Sequence, residues 1–411
     1  MNAPAPSPFE GLRDPVDMAS RHVAEHRALY YRWLREEAPV HRGRISVIPV
    51  WMLSRFEDCW NLLRDDRFVR DRRTATGKGR SPVPVPPTVR HLMESMIVAD
   101  EPEHTRLRSL VQKAFTTSAI ARLEGPIRES AHALLDTALG EGRVDLQQAY
   151  ALPIPVRVIS EMMGVSDEEA PRFRDGLRVL SEGLSGWSMV RTMLWDLPKL
   201  DRFVRGLIAR KRTAPGDDVL SALIAAEEAG DRLSEDELVS MTFLLVIAGF
   251  ETTVHLITNL VFELLRHPAE LERLRADPAL LDGAVEEGLR YCGPIHGTKP
   301  HYPLEDVELH GVRIPRGATV IPVLGAANRD PAMFDDPETF DVGRTPTRHL
   351  GFGRGIHYCL GAQLARMETR IALGVLLERC PDLSLAVPEA DVRPAPMPFW
   401  HRYDALPVRL A

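Results

Sequence analysis

Residues 234–264 constrain the fold most. Ser234 stands three positions before Glu237, the spacing of a capping box. The chain then runs Phe243-Leu244-Leu245-Val246-Ile247-Ala248-Gly249-Phe250 and continues through Leu256, Ile257, Leu260, Val261 and Leu264. Apolar residues fall on nearly every side of the helix these positions predict, so it belongs in the middle of the molecule. Its one irregularity is Ala248-Gly249-Phe250-Glu251-Thr252-Thr253. A mid-helix glycine costs roughly 1 kcal/mol relative to alanine, and two adjacent β-branched threonines add strain. The segment predicts that the Thr252 hydroxyl bonds back to the Ala248 carbonyl while Ala248 and Gly249 leave a notch. That notch suits a diatomic molecule on a metal, and Glu251 beside Thr252 sets a carboxylate next to a hydroxyl, a pair able to relay protons. Taken alone, the segment reads equally as a core helix with a packing glycine.

The chemistry is narrowed by His349-Leu350-Gly351-Phe352-Gly353-Arg354-Gly355-Ile356-His357-Tyr358-Cys359-Leu360-Gly361. Gly351, Gly353 and Gly355 allow the main chain to approach a flat ligand closely, and Gly361 permits tight packing after the cysteine. Ala362 onward reads as a helix start, which would favour a thiolate at Cys359 and lower its pKa. Phe352 would lie beside such a ligand and His357 would reach a carboxylate on its edge, which points to haem held by one cysteine thiolate. A dinucleotide loop fails because Ile356 and Tyr358 occupy the third-glycine positions. Zinc fails for want of further ligands at the right spacing. A buried structural cysteine in a glycine loop is the competing reading of this segment.

The pattern Phe-Gly-x-Gly-x-His-x-Cys-Leu-Gly resembles the haem-ligand loop of the cytochrome P-450 superfamily, and four further segments match in the expected order. Ala248 to Thr252 resembles the family's oxygen-activation groove. Glu287 and Arg290, in Glu286-Glu287-Gly288-Leu289-Arg290, resemble its Glu-x-x-Arg pair, which implies a buried triad completed by Arg344. His104 and Arg108, four apart on one helix face, form a cationic fork suited to a carboxylate. By resemblance, His104, Arg108 and His357 clamp the haem propionates. Leu304 to Gly317 matches the family's hairpin, but His301 stands where members usually carry an arginine four residues before the equivalent of Glu305.

The resemblance implies a mainly α fold with a small β region, in which haem is buried between the long central helix and the cysteine loop. It implies haem b with Cys359 as axial thiolate and metal ligand. The expected cofactor contacts are His104, Arg108, His357, Phe352, Gly353, Ala248, Gly249, His301 and Gly361, with Thr252 and Glu251 as catalytic residues. Met93, Met96, Ile97, Leu177, Leu180, Leu184, Trp187, Leu245, Ile295, Met397 and Phe399 are expected to line an apolar substrate pocket, with His296 adding a polar contact near the haem edge.

The implied reaction is insertion of one oxygen atom from O2 into a medium-sized hydrophobic substrate, such as a terpenoid, steroid, fatty acid or polyketide. No flavin or iron–sulfur motif occurs, so electrons are expected from a separate ferredoxin and reductase. Arg106, Lys113, Arg354 and Arg366 are the expected docking patch. A peroxide-driven or oxygen-independent enzyme of the same fold, or a non-catalytic haem sensor, is the alternative. Members of the first kind often lack the acid-alcohol pair that stands here as Glu251-Thr252.

Among 411 residues no linker or repeat divides the chain, so residues 1–411 are expected to form one domain. A net charge of −7 argues against nucleic acid. The N-terminus lacks a signal-like apolar core, and Cys59, Cys292, Cys359 and Cys380 show no paired spacing. A soluble, cytoplasmic, monomeric bacterial protein without membrane attachment is expected. Helices are expected over 26–36, 56–64, 120–139, 155–163, 200–211, 219–228 and 268–275, and strands near 40–50, 51–53, 307–320, 383–387 and 406–410. Residues 70–97, with four prolines, are expected to be irregular.

Overall fold

The computed structural model describes residues 9, 12, 15–77, 95–166, 168–170, 173, 192–228, 233–345 and 348–411. Helix dominates. The 32-residue helix Glu235–Arg266 begins at a complete capping box: the Ser234 side chain accepts from the Glu237 amide and the Glu237 carboxylate accepts from the Ser234 amide. By length and composition it would suffice to cross a bilayer, yet 72% of its most apolar window is buried inside the protein. The helices Pro153–Met162 and Ala362–Arg379 pack against it, and Leu281–Tyr291 lies against both it and Ala362–Arg379. Their apolar faces form one large core.

The β structure is small. Val40–Ile45 and Ile48–Leu53 form an antiparallel hairpin in register Val40 to Leu53, turning at Ser46, whose φ is +55°. Expected strand 40–50 therefore breaks at the turn. Val320–Pro322 adds in parallel to Ile48–Leu53. Phe68–Val69 pairs with Tyr302–Pro303, and Val307–Leu309 pairs with Val312–Ile314 across a turn with positive φ at His310 and Gly311. A second three-stranded sheet joins Arg143–Asp145, Pro407–Arg409 and Ser384–Leu385.

The expected helix 120–139 is two helices, Thr117–Ala121 and Glu124–Leu139. Pro126 has no N–H to give the Arg122 carbonyl and its ring crowds that carbonyl, so the chain cannot stay helical through the junction. Helices Arg72–Thr76 and Met96–Val98 flank the proline-rich stretch; residues 78–94 between them, with Met93, lie outside the described residues. So do Leu177, Leu180, Leu184 and Trp187.

Candidate active site at the cysteine loop

The loop takes its shape from two glycines and a set of fixed anchors. Gly353 and Gly355 have φ of +69° and +71°, left-handed backbone that side chains rarely adopt, and a Cβ on Gly355 would also collide with the Leu63 carbonyl. The Cys359 amide donates to the Phe352 carbonyl at 2.9 Å, folding the loop back on itself. Leu350 N–H donates to Asn328 Oδ1 at 2.7 Å. Glu286 ties the loop to the helix Leu281–Tyr291: its carboxylate accepts from Arg366 at 2.5 and 3.0 Å and pairs with His349 at 3.1 Å. Burial pushes the Glu286 carboxyl up, but these partners outweigh it and bring it down to about 2. Glu286 had no assigned role from sequence; its i, i−1 position next to Glu287 was the available signal.

Beneath the loop lies the triad. Arg290 uses all five N–H groups: Nε and Nη2 on Glu287 at 2.7 Å each, Nη1 on the Asn328 and Pro337 carbonyls, and Nη2 again on Thr339. Arg344 Nε approaches Glu287 at 3.2 Å and the Asp341 amide donates to the same carboxylate. Both members of the Glu287–Arg290 pair have side chains fully out of solvent.

Cys359 itself departs from expectation in its electrostatics. Burial pushes its thiol up, more than the Gly361 amide, Arg108 and Arg366 pull it down. The helix after it begins only at Ala362, with Gly361 as N-cap, so the helix-start effect is outweighed by desolvation. A thiolate here needs a cation to hold it. Gly361 also differs: nothing lies within 4 Å of where its Cβ would be, so it faces open space instead of packed protein. Arg366 sits over the Phe352 ring at 4.5 Å. There a cleft of about 320 Å³ is bordered by Trp60, Arg354, Tyr358 and Arg366.

The middle of the central helix is buried except along one stripe. Ala248 is exposed and Leu244, Ile247 and Thr252 are partly so, in a helix where nearly all other middle residues are buried. Their spacing of three to five keeps them on one face. Thr252 Oγ1 donates to the Ala248 carbonyl at 2.9 Å. Glu251 is turned inward, 3% exposed, and accepts from Arg402 at 3.0 Å. Two expectations change here. Gly249 does not open the notch: a Cβ on it would strike Ile159 of the neighbouring helix, so this glycine lets two helices approach. Leu245, expected in the pocket, is core and 8% exposed.

The polar edge is built around His104 and His357, whose rings meet edge to face at 4.3 Å. His357 Nε2 is buried without a hydrogen-bond partner among the described residues, and His104 Nδ1 has only the Glu101 carboxylate, 3.6 Å away. Burial and neighbouring cations bring His357 down to about 2, and burial also lowers His104. The fork is therefore one cation, Arg108, beside neutral imidazoles. Burial, then Arg70 and His357, hold His301 well below the usual histidine range, so it too is neutral. Arg70, missed from sequence, joins this group.

Several expected pocket residues turn elsewhere. His296 is buried against Gly325, with Nδ1 3.0 Å from the Tyr31 hydroxyl and its ring beside His401. It belongs to a histidine–tyrosine network, away from the cysteine loop. Phe399 packs on Gly297 and into the cluster of Tyr30, Tyr31 and Met52. Neighbours in an extended segment point to opposite sides, which explains why Ile295 and His296 diverge. Met96 is core; Ile97, Ile295 and Met397 are half-buried. Of the four expected docking cations, Arg106 is tied to Glu103 and Glu237, and Arg366 to Glu286.

Glu368 was also missed. It sits 1% exposed on Ala362–Arg379, and burial raises it to about 8, with the nearby Thr253 hydroxyl pulling the other way. Its only sequence signal is helical spacing that puts an acid on an apolar face.

These residues fit a haem. The chain offers one half-buried cysteine in a glycine loop, a partly uncovered stripe on an otherwise buried helix, and buried imidazole and guanidinium nitrogens at one polar edge. No group of three His, Cys, Asp or Glu able to hold a metal occurs among the described residues, so a bare metal site is not an equivalent reading.

Fold and site together define a haem-thiolate protein, and the comparisons agree. The family model for Cytochrome P450 matches residues 199–394. The chain is 42% identical to Cytochrome P450 107B1 of Saccharopolyspora erythraea, covering 94% of this chain and 95% of that one. It is 37% identical to 6-deoxyerythronolide B hydroxylase of the same organism, covering 96% and 98%. The solved structure of the Bacillus subtilis bacillaene polyketide synthase cytochrome P450 PksS superposes with a TM-score of 0.89 at 36% identity, covering 96% and 100%. The chain belongs to the cytochrome P450 family. It is an oxidoreductase of the monooxygenase kind, and the family implies a haem iron with a cysteine thiolate ligand.

Proposed function

We propose that this chain is a haem b monooxygenase that hydroxylates a medium-sized hydrophobic substrate, with Cys359 as the axial thiolate and Glu251 and Thr252 as its proton-handling pair. The observation that carries the reading is the pairing of a lone, partly accessible thiol with the accessible Ala248–Thr252 stripe of an otherwise buried helix. When bound, haem supplies the iron at which O2 is reduced and split. Cys359 donates charge to that iron, and His104, Arg108 and His357 bind the carboxylate edge. Thr252 Oγ1, whose proton is held on the Ala248 carbonyl, keeps lone pairs free on the groove side to accept and pass a proton. Glu251 is oriented by Arg402 at 3.0 Å, one residue from the hydroxyl it would resupply.

A polyketide is the favoured substrate class, because PksS is named for polyketide synthesis. The half-buried apolar residues Leu244, Ile247, Ile97, Ile295 and Met397 suit such a ligand. Electrons come from a separate ferredoxin and reductase that dock by the cleft at Arg354 and Trp60, in a cytoplasmic protein that works as one domain and as a monomer. Thr252→Ala tests the catalytic half: product per electron pair consumed should fall severalfold or more while the haem spectrum stays unchanged. Unaltered coupling would remove Thr252 from the proton path.

A further inference from the structure

We propose that Arg70 is a guanidinium anchor for a haem carboxylate in this chain, replacing from a different strand the arginine that the family pattern has at position 301. The proposal rests on the haem-binding reading above. Arg70 follows the strand Phe68–Val69, whose partner is Tyr302–Pro303, so the pairing that sets His301 at the site brings Arg70 beside it. The segment is pinned by Asp100, whose carboxylate accepts from the Arg70 amide at 2.6 Å and the Asp71 amide at 2.8 Å. That also fixes it next to the start of Glu103–Ala114, the helix of His104 and Arg108.

The side chain is 8% exposed. Nη1 donates to the Lys299 carbonyl at 3.1 Å, and Nε is buried with no partner among the described residues. Asp100 spends its carboxylate on backbone amides, and no carboxylate pairs with the guanidinium among the described residues. Arg70 acts electrostatically on both His301 and His357, so its charge lies at the edge where His357 Nε2 is also buried without a partner among the described residues. A buried guanidinium with no hydrogen-bonded anion is disfavoured. Two unpartnered nitrogens at one edge call for an acceptor from outside the chain, and a planar carboxylate matches the guanidinium fork. Neutral His301 offers a single hydrogen bond and no charge, so it cannot do the work of the arginine it replaces.

Two measurements on the haem-loaded protein test this: the rate of haem loss to an excess of a scavenging apoprotein, and the Fe(III)/Fe(II) midpoint potential. Arg70→Gln should speed haem loss by roughly ten- to hundredfold, the loss of one charged hydrogen bond, and lower the potential, because a cation near the iron is gone. Arg70→Lys should give a smaller acceleration. Adding His301→Arg to Arg70→Gln should restore both values toward the original. If Arg70→Gln does not fold, Arg70→Lys carries the same test. Haem loss and potential unchanged in the variant that folds would overturn the proposal, and a lower Tm alone would mark Arg70 as structural. Absence of any thiolate-type haem spectrum in the parent protein would instead sink the haem reading itself.

Discussion

Two buried polar clusters of this molecule are finished differently. In the Glu287–Arg290–Arg344 cluster every guanidinium N–H of Arg290 has a partner and Glu287 accepts from three residues. In the Arg70–His104–His357 cluster Arg70 Nε and His357 Nε2 are buried with no partner among the described residues, and His104 Nδ1 has only Glu101 at 3.6 Å. Buried polar groups in native proteins are nearly always satisfied. A closed cluster is therefore scaffold, and an open one waits for something. Sequence motifs mark both as conspicuous; only the count of unmet hydrogen bonds separates their roles.

Breaking the closed cluster should have the largest effect on stability. Arg290→Ala leaves Glu287 charged and buried, and should cost about 3–5 kcal/mol in chemical denaturation. A loss under about 1 kcal/mol would mean the triad is not what holds the loop. Glu368 sharpens the contrast from the acid side, since it is buried between helices. Its folded pKa of about 8 lies above the ordinary carboxyl value of 4.5, so the folded state binds the extra proton between those values. Stability is then fully present below about pH 4.5 and falls as pH rises toward 8. Glu368→Gln should flatten that decline and gain on the order of 3 kcal/mol at pH 7. An unchanged pH profile of Tm would show Glu368 ionised and paired. The smallest effect is expected at the outer cleft, where Arg354 lies over Trp60 at 3.7 Å. Arg354→Glu should slow the first electron transfer from a ferredoxin a few-fold at low salt and less at high salt; equal rates at low salt would move the docking surface elsewhere.

What the sequence disclosed was local. The Ser234–Glu237 capping box, the Thr252 back-bond and the Gly353 and Gly355 turns follow from neighbours within four residues, and all are present. The resemblance added Arg344, 57 residues from Glu287. Long-range burial was not legible. The neutral state of His104, His301 and His357 follows from desolvation by distant elements, and Arg70 reaches the site through a two-residue strand pair no periodicity announces. Nor was side-chain burial legible at Leu245, which packs into the core, or at His296, which joins Tyr31 and His401.

The reduced, haem-loaded protein under carbon monoxide gives the most direct answer, with Cys359→Ser beside it. The parent chain should show the far-red-shifted Soret band of a thiolate-bound haem, and the variant should lose that band while remaining folded. A folded, haem-loaded parent without the band, or a variant that keeps it, would contradict Cys359 as the ligand on which the whole site is built.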